Sequence, residues 1–131
     1  AVLPGMMERG WGRIVNFASD AARVGSSLES VYAGAKAGVI GFTKTIARES
    51  VKRGVTCNVV CPGPTDTTLI REMGEQGELP AKIVAGLDRA MPIGRMAQPH
   101  EIAYGATVFT HDDAALITGQ TLSVSGGLTM A

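Results

Sequence analysis

Neither sign of charge dominates this chain: 12 Lys and Arg stand against 12 Asp and Glu in 131 residues. That balance removes the usual electrostatic case for a nucleic-acid or anionic-membrane partner. The densest basic spot is Lys52-Arg53, an ordinary helix-end pair. No apolar run approaches the roughly 20 residues of a membrane-spanning helix, and no signal-peptide pattern opens the chain. Histidine is scarce, and His100 and His111 read as polar residues at helix ends rather than ligands. The only cysteines are Cys57 and Cys61, in an apolar stretch. On a strand they share a face about 13 Å apart, too far for a disulfide. With no further Cys or His nearby, a metal site is not expected. Two buried reduced thiols are the reading, and they fit a cytoplasmic location. What remains is 45% hydrophobic and 18% charged, the balance of a soluble globular chain long enough for one core.

Glycine, proline and apolar periodicity divide the chain. Residues 1–10 read as the end of a helix stopped by Gly10, so a fragment or a processed product is expected. Residues 12–19 (GRIVNFAS) form a β-type run. Residues 20–30 read as a loop rich in Gly, Ser and Ala. From Val31 to Arg53 the period is helical, with Val39, Ile40, Phe42, Thr43, Ile46 and Ala47 as the apolar stripe. Small residues crowd its first half, which suggests close backbone approach by a neighbour. Gly54 ends that helix, residues 55–61 (VTCNVVC) form a second strand, and Pro62-Gly63-Pro64 breaks it. Two short helices are expected within 65–90, parted near Gly74–Pro80. Pro99 suits the first turn of a helix running to about His111. Residues 120–124 form a last strand, closed by Gly126-Gly127. The order β-α-β-α-α-β implies a parallel α/β sheet covered on both faces.

Ligands of such sheets sit beyond the carboxyl ends of the strands. Three groups converge there: Ser19 after the first strand, Tyr32 and Lys36 on the following helix, and residues 62–67 after the second strand. Tyr32 and Lys36 stand at i and i+4 and share a helix face. A phenol ordinarily titrates near pH 10, and a neighbouring ammonium favours its ionised form. Such a phenol suits general acid–base work near neutral pH, and Ser19 can hold the same substrate oxygen. None of these groups accepts hydride, so redox chemistry here calls for a cofactor. Taken alone, Tyr-x-x-x-Lys is equally a surface pair on an amphipathic helix; its surroundings make the difference.

Those surroundings resemble a known family. G-R-I-V-N-F-A-S (12–19), Y-A-G-A-K-A-G (32–38), C-N-V-V-C-P-G-P-T-D-T (57–67), P-I-G-R-M-A-Q-P-H-E-I-A (92–103) and I-T-G-Q-T-L-S-V-S-G-G (117–127) are similar to the consecutive C-terminal motifs of short-chain dehydrogenases/reductases. They follow in family order and span nearly the whole chain. The resemblance implies one partial domain over 1–131, the C-terminal catalytic half of a Rossmann-type doubly wound sheet. It implies Tyr32 as proton donor or acceptor, Lys36 as holder of the nicotinamide ribose hydroxyls, and Ser19 as the group orienting the substrate oxygen. Pro62 and Gly63 would wall the nicotinamide, and Thr65 and Thr67 would meet its carboxamide or the phosphates. Residues 66–90 would form a mobile substrate lid. A fourth family residue, an asparagine, would lie upstream of Ala1; Asn16 and Asn58 are expected to satisfy backbone groups instead.

The implied cofactor is NAD or NADP. No G-x-G-x-x-G turn between a strand and a helix occurs in these residues, so the adenosine half of the site is expected in an upstream segment. S-D-A-A-R-V-G-S-S (19–27), C-P-G-P-T-D-T (61–67) and L-S-V-S-G-G-L-T-M (122–130) resemble 2-hydroxycyclohexanecarboxyl-CoA dehydrogenases. 3-Oxoacyl-carrier-protein reductases are next in likeness. The substrate implied is an alcohol or ketone, on the first likeness an acyl-CoA, and the parent is expected to be a homo-oligomer. Arg23 and Arg95 could meet an anionic group, with solvation at the surface expected for each. A second reading stays open: a chain without turnover that acts as an interaction or scaffold protein. The intact Ser19, Tyr32 and Lys36 set favours the enzyme; the missing phosphate cradle favours the scaffold.

Overall fold

The computed structural model describes residues 1–131. Its centre is a parallel sheet of three strands in the order β1-β2-β3: β1 Gly12–Phe17, β2 Val55–Pro62 and β3 Thr121–Val124. β2 is the central strand, and residues 55–61 are all buried. That explains its near-continuous run of Val and Cys, since a parallel strand covered on both faces has no solvent side. Cys61 and Val59 pack with Ala18 against Val39 and Ile40 on one face. On the other face, Val60 packs with Ala97, Ile102 and Phe109.

Helix α1 spans Leu3–Glu8 and precedes β1. A short helix α2, Ala21–Val24, stands where the sequence suggested only loop. The long helix α3 spans Ser30–Ser50 and continues as a 3-10 turn to Arg53. Its covered side carries Lys36, Val39, Ile40, Thr43, Ile46, Ala47 and Ser50. Phe42 is not part of that stripe, being 60% exposed on the other side. Gly34, Gly38 and Gly41 face open space, so within this chain nothing uses the close approach they permit.

Three helices lie between β2 and β3, the two expected within 65–90 and the one opening at Pro99: α4 Thr68–Gly74, α5 Glu78–Ala90 and α6 Pro99–Thr107. Pro80 sits inside the first turn of α5 instead of in the break, a position where its missing N–H costs nothing. Helix α6 stops four residues short of His111, whose imidazole instead accepts from the Asp113 N–H at the head of a 3-10 turn. At its start, the Gln98 N–H donates to Glu101, and Arg95 grips the same carboxylate at 2.6 Å. Arg95 is thereby paired while its side chain stays half exposed at the surface, where it was expected.

The two asparagines, Asn58 buried and Asn16 partly so, divide their work. Asn58 donates to the Ile117 carbonyl at 2.9 Å and accepts from the Gln120 N–H at 3.0 Å, clamping the entry to β3 against β2. Asn16 departs from expectation: it donates to the Thr43 hydroxyl at 2.9 Å, a side chain rather than backbone. Glycine sets two close approaches. A Cβ at Gly105 would lie 2.5 Å from Val124 Cγ2, so α6 meets β3 only because that side chain is missing. A Cβ at Gly63 would lie 2.8 Å from Ser125 Cα, and the Gly63 N–H donates to the Val124 carbonyl at 3.0 Å.

Replacing a helical glycine by alanine ordinarily gains about 1 kcal/mol, while overpacking costs about 1–3 kcal/mol. Gly86 of α5 has open space around it. Gly86→Ala is therefore expected to raise the denaturation midpoint and Gly105→Ala to lower it, as measured by urea unfolding.

Candidate active site

All seven residues singled out from the sequence line one cleft of about 800 Å3. Ser19 stands just past the end of β1, Tyr32 and Lys36 lie in the first turns of α3, and Pro62, Gly63, Thr65 and Thr67 lead from β2 to α4. They meet because the parallel strands all end on this side. The buried β2 must stop where Pro62 removes its N–H donor.

The local bonding leaves each group with capacity to spare. Ser19 Oγ accepts from the Ala21 N–H at 3.2 Å, which leaves its own hydroxyl proton free to donate. Lys36 Nζ donates to the Phe17 carbonyl at 3.1 Å and keeps two further N–H donors. That bond anchors the ammonium at the end of β1 and holds it 5.7 Å from the centre of the Tyr32 ring. Tyr32 lines the cleft and is 45% exposed overall, and its hydroxyl makes no hydrogen bond within the chain. The Thr65 hydroxyl donates to the Gly63 carbonyl at 2.8 Å and stiffens the turn after β2. Thr67 caps α4 by accepting from the Ile70 N–H at 3.4 Å.

The segment over the cleft is tied down at several points. Arg71 grips Asp66 with two bonds of 2.7 and 2.9 Å, and this pairing holds the Asp66 carboxyl below the usual carboxylate range. Thr65 bridges to Ala97, and the Asp88 carboxylate accepts from the Met96 N–H at 2.7 Å. Leu69 and Ile70 of α4 and Leu87 of α5 give the cleft its apolar side.

Several lining residues escaped the sequence reading. Asp20 is 6% exposed although it borders the cleft. It is joined by Arg23, whose side chain is 20% exposed and bonds Ser123 Oγ at 2.7 Å. Arg23 is thus largely covered, contrary to the solvated surface place expected of it. Leu128 and Thr129 also reach the cleft. Their only sequence signal was the resemblance of residues 122–130, which does not say where a tail folds back. The thiols lie outside the cleft lining. Burial and the nearby Asp20 charge push Cys61 up to about 11, and burial also raises Cys57. No group of three or more His, Cys, Asp or Glu is placed to hold a metal ion.

A parallel sheet with hydroxyl, phenol and ammonium groups gathered past its strand ends defines part of a dinucleotide-type α/β domain. A family model described as Enoyl-(Acyl carrier protein) reductase matches residues 1–129. The chain belongs to the short-chain dehydrogenase/reductase family. It is 43% identical over 130 residues to the 3-oxoacyl-(acyl-carrier-protein) reductase FabG of Vibrio cholerae, covering 99% of this chain and 51% of that protein. It is 39% identical over 123 residues to the acetoacetyl-CoA reductase of Rhizobium meliloti, covering 94% of this chain and 49% of that protein. Among solved structures, a variant of actinorhodin polyketide ketoreductase with NADPH matches with a TM-score of 0.84 at 38% identity, over 95% of this chain and 49% of that one. The chain spans about half the length of the relatives it matches.

Arg95 sets the pH response of the loop ahead of α6: its bond holds Glu101 down at about 2. A carboxylate depressed on folding stabilises above its unfolded value, near pH 4.3, and that stabilisation is lost as pH falls toward 2. Thermal melts across that interval are expected to fall less steeply for Glu101→Gln than for the native chain.

Proposed function

We propose that the whole protein containing this chain is an NAD(P)-dependent oxidoreductase that moves hydride between a secondary alcohol and a ketone carried on an acyl thioester. The observation that carries this reading is the convergence of Ser19, Tyr32 and Lys36 in one cleft, each with free hydrogen-bonding capacity. The donor set fits the nicotinamide half of a dinucleotide. The two spare N–H donors of Lys36 suit ribose hydroxyls, the ring of Pro62 offers a flat apolar wall, and Thr65 and Thr67 suit the carboxamide or phosphate oxygens. A nicotinamide bound there supplies or accepts the hydride, which no side chain of the cleft can do.

In the direction of reduction, Tyr32 gives its hydroxyl proton to the carbonyl oxygen as that oxygen gains charge. Ser19 donates a hydrogen bond to the same oxygen and holds the carbonyl beside the phenol. The Lys36 ammonium, fixed by the Phe17 carbonyl, stabilises the negative charge then left on Tyr32. In oxidation the same groups run in reverse, with the phenolate accepting the alcohol proton.

The substrate class rests on two supports. Relatives named for 3-oxoacyl-carrier-protein and for acetoacetyl-CoA reduction share a thioester-borne ketone. Leu69, Ile70 and Leu87 line the cleft with an apolar surface suited to an acyl chain. The 3-oxo position is favoured by those relatives; the oxidation of a ring hydroxyl on a CoA thioester rests on the resemblance of residues 19–27, 61–67 and 122–130 alone. The open face of α3 at Gly34, Gly38 and Gly41, where absent side chains permit close backbone approach, supports assembly with a second copy.

In the whole protein, Tyr32→Phe is expected to abolish turnover of acetoacetyl-CoA by NADPH or NADH while cofactor binding, followed by its fluorescence, stays near normal. Lys36→Ala is expected to weaken both. Retained turnover in Tyr32→Phe overturns the proton-transfer role. Turnover of a cyclic hydroxyacyl-CoA, with none of acetoacetyl-CoA or its carrier-protein counterpart, moves the substrate to the ring-hydroxyl class.

A further inference from the structure

The least explained group at the cleft is Asp20. It directly follows Ser19 and occupies the cap position of α2, yet its carboxylate makes no capping bond. Ser19 Oγ receives the Ala21 N–H instead. The Asp20 carboxylate turns away toward partners remote in sequence. Oδ1 accepts from Ser123 Oγ of β3 at 2.6 Å and meets Arg23 Nη1 at 3.4 Å. Oδ2 accepts from the hydroxyl of Thr129 in the C-terminal segment. Arg23 closes the group by donating to Ser123 Oγ at 2.7 Å, and Thr129 is held again through its N–H to Ser125 Oγ at 3.3 Å. A carboxylate so covered is stable only while its donors stay in place, so each partner fixes the others.

This arrangement has two ends in the cleft. One is Ser19, a single peptide bond from Asp20. The other is the segment around Leu128 and Thr129, which forms part of the wall. We propose that Asp20 is a positioning residue that sets Ser19 and the Leu128–Thr129 wall at a fixed distance from each other by binding β3 and the C-terminal segment with one carboxylate. The proposal rests on the reading of Ser19 as the group that holds the substrate oxygen. It gives Ser123 and Thr129, which bear no reacting atom, a part in catalysis through geometry.

The test measures kcat and KM for thioester ketone reduction in the whole protein, with Asp20→Asn, Thr129→Val, Ser19→Ala and the Ser19→Ala/Asp20→Asn pair. Displacing a substrate-orienting group by a fraction of an ångström to one ångström costs about tenfold to a hundredfold in rate, so Asp20→Asn is expected to lower kcat by about that factor well below its melting temperature. Thr129→Val, which removes one donor and keeps the shape, lowers it less and guards against a misfolded Asp20 variant. Once Ser19 is gone its placement no longer matters, so Asp20→Asn adds little to Ser19→Ala. Hydrogen exchange of residues 20–25 and 126–131 is expected to rise together in both Asp20→Asn and Thr129→Val, a readout independent of turnover. Equal losses from Asp20→Asn in the presence and absence of Ser19 overturn the positioning role, as does unchanged exchange in the tail. If Ser19→Ala alone leaves turnover intact, the reading of Ser19 fails instead, while joint exchange in the two segments still reports the Asp20 link.

Discussion

The burial of β2 on both faces is the constraint from which the rest of the structure follows. A strand with no solvent side must be apolar or internally bonded along its length, and residues 55–61 meet that demand with Val and Cys packed against α3 and α6. Asn58 uses its amide on the backbone at the entry to β3. Because neighbours lie on both sides, β2 cannot be extended into solvent, and Pro62 and Gly63 end it beside β3. The cleft is the space that this ending leaves among the three strand ends.

That origin accounts for a division of labour around the cleft. Its floor is backbone, set by strand register and the approach of Gly63 to Ser125. Its reactive wall is one helix, α3, held by packing along Val39, Ile40, Thr43 and Ala47. The apolar wall is built from α4 and α5, with the Asp66–Arg71 pair exposed at the start of α4. Exposed ion pairs contribute little to stability. The α3 side is thus held by core packing, to which the exposed pair on the α4 side has no counterpart.

Much of this was legible in the sequence. The strands were visible because β-branched and apolar residues clustered between glycines and prolines, and Gly54 marked the end of the long helix through its left-handed backbone at φ 74°. The seven cleft residues were found because local motifs already carry their spacing. Other features depended on contacts that no local pattern encodes. Phe42 fits a helical stripe by hydropathy, but the helix is rotated so that Thr43 and Ala47 face the sheet and Phe42 faces out. The short α2 was hidden in a stretch rich in loop-forming residues. Arg23 looked like a solvated cation because its strongest partner, Ser123, lies 100 positions along the chain. Asn16 found a hydroxyl on α3 where backbone was expected.

The bonds of Asp20 reach 103 and 109 positions along the chain. Contacts of such separation form late, since the entropy of closing the intervening loop must be overcome first. Helix α3 and the β1–β2 pair can form from neighbouring segments, whereas the Ser19 side of the cleft acquires its final shape only when β3 and the residues after it arrive. The cleft is therefore closed from the far end of the chain: without the residues around Leu128 and Thr129, Tyr32 and Lys36 would stand on α3 beside a cleft lacking one of its sides.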